Sequence, residues 1–111
     1  MSEAFLKRSI KKHFRALGYR VSMRRIRLGN SEINGEATGP DGERIAIEIK
    51  TPSDDVVRGL GQLAESIAYG YSKAILVTTL RTARKLDRNV FIHYGWNLLG
   101  VNSKGEIQRI C

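Results

Sequence analysis

The chain has 111 residues, 41% hydrophobic and 27% charged, which suits one globular domain over residues 1–111 and leaves no room for two. No apolar run approaches the ~18–20 residues that span a bilayer, and lysines and arginines interrupt Met1–Phe14, which excludes a membrane protein and points to an intracellular, cytoplasmic one. A formal charge of +8 favours a polyanionic partner, and the lone Cys111 can form neither an internal disulfide nor a thiolate zinc cluster.

From Glu3 to Leu17 the residues Leu6, Ile10, Phe14 and Leu17 follow helical spacing, with Gly18 as the stop. Off that apolar stripe, Lys7, Lys11 and Arg15 recur four apart beside Arg8 and Lys12. Like charges at this spacing cost a helix stability, so the row suits either phosphate contacts or a merely solvated face. Tyr19–Leu28 reads as a strand carrying Arg20, Arg24 and Arg25.

Two further strands are expected at Glu32–Thr38 and Arg44–Lys50, joined by Gly39-Pro40-Asp41-Gly42, a type I turn closed by a left-handed glycine. If Gly39 pairs with Glu43, then Asn34 lies opposite Glu48, Glu32 opposite Lys50 and Glu36 opposite Ala46. Ile45, Ile47 and Ile49 then fill a core on one face while Glu48 and Lys50 project from the other. A competing hairpin turn at Asn34-Gly35 leaves too short a strand between two turns and ranks second.

Thr51–Asp55 breaks the strand and offers capping oxygens to a helix running to about Tyr71, with Val56, Leu60, Leu63, Ile67 and Tyr71 on its buried side. Ala74–Thr79 is a continuous apolar strand of the kind buried on both faces. Arg81–Asp87 reads as a short basic helix, and Val90–His93, Asn97–Asn102 and Glu106–Ile110 as strands. The sum is an α/β sandwich.

Charge is unevenly spread. Residues 1–30 hold nine basic residues and one acid, residues 31–66 three basic and eight acidic, and residues 67–111 seven basic and two acidic. Carboxylates in the middle of a basic chain repel phosphate, yet a metal-dependent nuclease needs them to hold its cation. Within that acidic centre, Glu48-Ile49-Lys50 sets a carboxylate and an ammonium side by side on one strand face. The pair suits phosphodiester hydrolysis, with the carboxylate on a cation and the lysine stabilising charge at the phosphate; a surface ion pair is the bland alternative.

With the helix at Glu3, Gly18-Tyr19-Arg20-Val21, the hairpin ending Ile45-Ala46-Ile47-Glu48-Ile49-Lys50-Thr51, a helix containing Gln62-Leu63, and Ala74–Thr79, the chain resembles the PD-(D/E)xK nuclease superfamily. Within it, the likeness is to the archaeal Holliday-junction-resolvase-like and RecB-like small nucleases, and it covers roughly Glu3–Thr79. The resemblance implies a restriction-endonuclease-like αβββαβ core, a mixed central sheet flanked by helices, and Mg²⁺-dependent DNA cleavage, with Mn²⁺ as substitute, in repair or recombination. It implies Glu48 as metal ligand, Lys50 as catalytic lysine, Glu3 as an accessory acid and Gln62 as a helper. Lys11, Lys12, Arg24 and Arg25 are the expected DNA contacts. A homodimer is required only if the substrate is a junction, which needs two sites related by a two-fold axis.

One position departs from the pattern. The family places an aspartate, the other metal ligand, opposite Glu48, where this chain has Asn34. Asp41 of Pro40-Asp41 is a decoy: seven residues from Glu48, it lies roughly 23 Å away along the strand. Three readings stand: an inactivating aspartate-to-asparagine replacement, which is preferred; a naturally impaired homologue; or substitution by Glu36 on the same face. On the first, Asn34→Asp is expected to unlock cleavage. The alternative function is a non-catalytic nucleic-acid-binding domain. His13 and His93 lack partners at metal or general-base spacing, and Tyr94 and Trp96 read as packing residues.

Overall fold

The computed structural model describes residues 1–111. Helix α1 (Glu3–Ala16) starts at the Ser2 cap, whose side chain accepts the Phe5 N–H, and buries Leu6, Ile10 and Phe14. It ends near Gly18, whose φ of +85° is cheap only for a residue without Cβ. The chain then forms β1 (Arg20–Ser22), β2 (Ile26–Leu28), β3 (Ser31–Ile33), β4 (Gly35–Thr38) and β5 (Arg44–Ile49). Helix α2 (Val56–Ala68), β6 (Lys73–Thr79), α3 (Leu80–Ala83), α4 (Arg88–Tyr94), β7 (Asn97–Val101) and β8 (Ile107–Arg109) follow.

Six strands make one mixed sheet in the order β1-β4-β5-β6-β7-β8, with β5, β6 and β7 parallel and the remaining pairings antiparallel. Counting β1, β4 and β5 as the three leading strands, the order from α1 through α2 to β6 is the expected αβββαβ. One core lies between the sheet and α1, built on Ile45, Ile47, Ile49 and Val77. The other lies under α2 and α4, built on Leu63, Leu76, Phe91 and Leu98.

The expected register holds from Gly35 to Thr38, where Glu36 pairs with Ala46 and Thr38 with Arg44; beyond Gly35 the ladder stops short of an Asn34–Glu48 pair, and Glu32 lies opposite Arg27 of β2, not Lys50. Gly39 N–H donates to the Glu43 carbonyl at 2.8 Å, and Gly42 takes φ +85° to close the turn. Asp41 stays at the tip, accepting the Glu43 N–H at 3.1 Å.

Other expectations need correction. Tyr19–Leu28 is two short strands, and Glu32–Thr38 is split at Asn34. Between the breaks, β2 and β3 pair only with each other, forming a ribbon off the main sheet. Just past the second break, Gly35 lets β4 approach β1 closely, because a Cβ there would lie 2.6 Å from the Ser22 carbonyl. The Asn-Gly signal therefore marks a bend, not a hairpin turn.

Val90–His93 is helical, not a strand. Asp87 caps it by accepting the Asn89 N–H, and Gly95 terminates it at φ +70°, so capping overrides the strand preference of Val, Phe and Ile. The basic helix is shorter and earlier than Arg81–Asp87 because the Thr79 hydroxyl caps it by accepting the Thr82 N–H. Helix α2 buries Gly59, Leu63 and Ser66, leaving Ile67 44% exposed. Tyr71 is buried from outside that helix, beyond Gly70 at φ +90°. No helix is long and apolar enough to cross a membrane.

Candidate active site at the carboxyl end of the central strands

Parallel β5, β6 and β7 bring their carboxyl ends to one edge, the place where open α/β sheets expose side chains to a ligand. At the end of β5 a cleft of about 240 Å³ opens between α1, the bend at Asn34 and the first turns of α2. Its walls carry Glu3, Glu32, Glu48, Asp54 and Asp55 together with the cations of Arg25, Lys50 and Arg58; only Ile33 and Ile49 are apolar.

Glu48 is the most constrained of these groups. Strand alternation points it toward α2, where it is 3% exposed, and its Oε2 has no hydrogen-bond partner. Burial raises its carboxyl from 4.5 to about 7, Lys50 pulls it down, and Glu3, Asp54 and Glu32 push it further up. Beside it the Gln62 amide Oε1 is also buried without a partner. Two buried oxygens without partners, on residues that line a polar cleft, are an unmet demand for a donor or a cation.

Lys50 projects from the same face as Glu48 and makes no ion pair within 4.0 Å. Its stem lies across α2 at Gly59, where an added Cβ would come 2.5 Å from Lys50 Cε. The Thr51–Asp55 loop behind it is tied by Asp54, which accepts the Thr51 N–H at 2.7 Å and the Thr51 hydroxyl at 2.8 Å. Those two donors hold the Asp54 carboxyl below its usual value. Asp55 caps α2 by accepting the Arg58 N–H, which fixes Arg58 and Gln62 one helical turn apart on the cleft side.

The fold thus brings Glu3, Asn34, Glu48, Lys50, Gln62 and Arg25 together. It does not bring in Lys11, Lys12 or Arg24. Lys12 lies against the β7–β8 turn beside Lys104 and Gly105, and Arg24 is exposed in the break between β1 and β2. Glu36 is committed elsewhere: its Oε2 accepts from the Tyr71 hydroxyl at 2.6 Å and from Arg44 at 3.2 Å, so it does not replace an acid at the cleft. Neither histidine lines the cleft; His13 meets Phe14 edge-on and His93 meets Tyr94. Trp96 is buried and stacked on Tyr94 before β7 begins, at the other edge of the sheet.

Gly59 and Arg58 were not singled out from the sequence. The signal for Arg58 was its spacing of four from Gln62 on a capped helix; for Gly59 it was a glycine inside a helical pattern.

Oxygen-only donors around one buried carboxylate suit a hard divalent cation. Glu48 Oε2 and the Gln62 amide oxygen are free to take one, whereas the Asn34 amide oxygen already accepts the Ile49 N–H at 2.8 Å. No three of the acids, histidines or cysteine converge closely enough to form a metal cage, so an ion here would rest on Glu48, with the Gln62 oxygen and water completing its shell.

No protein-family model matches the chain, and no curated protein matches it in sequence. Solved structures do. A protein of unknown function from Silicibacter pomeroyi superposes with a TM-score of 0.65 at 18% identity, over 95% of this chain and 66% of that one. An fdxN element excision controlling factor protein from Anabaena variabilis does so at 0.65 and 16%, over 97% and 99% of the two chains. Pyrococcus furiosus SfsA, solved in complex with Ca²⁺, gives 0.52 at 22%, over 97% and 60%. The chain therefore spans about two thirds or less of the first and last of these. At such identities the likeness establishes the fold: a mixed α/β sheet flanked by helices, compatible with the restriction-endonuclease-like core.

Proposed function

We propose that this chain is a divalent-cation-dependent deoxyribonuclease, structure-specific for a junction, flap or end, centred on Glu48 and Lys50. The observation that carries the reading is the Glu48 carboxylate, buried, unpartnered at Oε2 and facing a polar cleft beside a free lysine. A carboxylate left so costs stability, and a site that binds a cation offsets that cost. The excess of base over acid, +8, supports a nucleic-acid substrate. A protein named as an fdxN element excision controlling factor shares the fold, and SfsA shows that fold in a Ca²⁺ complex.

Mg²⁺, or Mn²⁺ in its place, would supply Lewis acidity toward the phosphate when bound. Glu48 would hold the ion, and Gln62 would offer its amide oxygen. Lys50, fixed across Gly59, donates to the phosphate oxygen on which charge accumulates, and Arg25 and Arg58 hold flanking phosphates.

The test is Mg²⁺- or Mn²⁺-dependent cleavage across branched, nicked, flapped and linear DNAs. Glu48→Gln and Lys50→Ala should each lower cleavage by about a hundredfold or more, with DNA binding retained by the Glu48 variant. A folded protein that binds DNA, cuts none of these substrates and binds Mn²⁺ no better than its Glu48→Gln variant would be a non-catalytic nucleic-acid-binding domain.

A further inference from the structure

Asn34 is engaged at both ends of its amide. The Oδ1 accepts the Ile49 backbone N–H at 2.8 Å, and the Nδ2 donates to Glu3 Oε1 at 3.3 Å. The two partners fix the orientation, because a backbone N–H needs an acceptor and a carboxylate needs a donor. An aspartate could serve only Ile49. Toward Glu3 it would present a second anion where a donor is needed. Glu3 is otherwise held only by Lys7, one turn along α1, at 3.2 Å. The amide therefore links the strand of Glu48 to the acid of α1.

We infer that Asn34 is the working residue at its position, an amide clamp that holds Glu3 over the cleft so that the second carboxylate near Glu48 comes from α1 and not from the strand. This rests on the reading of the cleft as a cation-dependent hydrolytic site. Three observations converge on it. Glu3 lines the same cleft as Glu48 and the buried Gln62 oxygen. The amide oxygen of Asn34 is spent on Ile49 and is not free to serve as a ligand itself. Glu36, the other acid on that strand face, is spent on Tyr71 and Arg44. Asn34 is on this view a positioning residue, and the chain needs no aspartate there.

The experiment is a double-mutant cycle read by Mn²⁺ titration, with Glu3→Ala, Asn34→Ala and the double variant beside Glu48→Gln. Each single change should weaken Mn²⁺ binding about tenfold, and the double variant should bind no more weakly than the worse single one. A Glu3→Ala protein that binds Mn²⁺ as the parent does, or losses that simply add, overturns the clamp. Asn34→Asp should leave cleavage unchanged or lower it, and a tenfold gain overturns the clamp as well. If Glu48→Gln leaves Mn²⁺ binding untouched, the cation site itself fails. The clamp is then decided by thermal melts in EDTA, where non-additive losses for Glu3→Ala and Asn34→Ala support it and additive losses overturn it.

Discussion

Glu48 shows what a buried carboxyl costs a fold. Its carboxyl, raised from 4.5 to about 7, keeps a proton in the native state that the unfolded chain has released. Between those values the folded protein binds more protons, so metal-free stability falls as pH rises, then levels off above about 7. Integrated over the shift, the loss is about 3 kcal/mol, most of it the cost of an ionised carboxylate out of water. Glu48→Gln should abolish this slope and leave the variant the more stable protein at pH 8, as urea unfolding in EDTA from pH 4.5 to 8 would show. Equal slopes in both proteins would mean that Glu48 is not the buried acid it looks to be. The parent's Mn²⁺ affinity should climb by about tenfold per pH unit below 7 and plateau above, since ligand and proton compete for the same oxygens.

At the scale of elements, the hairpin was legible because Gly39-Pro40-Asp41-Gly42 dictates a turn, and the turn fixes the register from Thr38–Arg44 to Gly35–Ile47, which leaves Asn34 beside the end of β5. Strands β5 and β6 were legible from their isoleucine and apolar runs. The ribbon of β2 and β3 was not, because local pattern cannot say which strand a segment pairs with, and β3 pairs with β2 and not with β5. Helix α4 was misread because its Val-Phe-Ile run favours strands while its caps, Asp87 and Gly95, favour a helix. Glu48 and Lys50 were legible as a pair, but the burial of Glu48 and the commitment of Asn34 and Glu36 depend on tertiary contacts. Gly59 offers a test at this scale. Gly→Ala inside a helix is worth roughly 1 kcal/mol of stability, yet the new Cβ would strike the Lys50 stem at its flexible end. Gly59→Ala should therefore melt at or above the parent temperature while cleaving DNA at least tenfold more slowly. Full cleavage by that variant would show that the Lys50 placement does not matter.

Across the whole molecule the parallel strands gather an acidic cleft and a basic flank on one edge. Helix α3 begins where β6 ends, so Arg81, Arg84 and Lys85 line a depression of about 470 Å³ that also includes Met1, two residues before the Glu3 that lines the cleft. A DNA strand whose scissile phosphate sits at Lys50 could thus meet these cations within the same edge, whereas Lys12 sits on the other side of the β7–β8 turn, beside Lys104 and Gly105. Each phosphate neutralised on duplex DNA adds about 0.9 to the slope of log affinity against log salt. Replacing Arg81, Arg84 and Lys85 together by alanine should therefore flatten the slope by about 2–3, and Arg25→Ala by about 1, when affinities are measured by fluorescence anisotropy from 50 to 300 mM salt. Binding in Ca²⁺ or EDTA keeps cleavage out of the measurement. An unchanged slope in the triple variant, together with a flattened one in Lys11→Ala/Lys12→Ala, would move the DNA onto the outer face of α1. Substrate held there would pass the cleft by, and Glu48 would lose its claim to be where the chemistry happens.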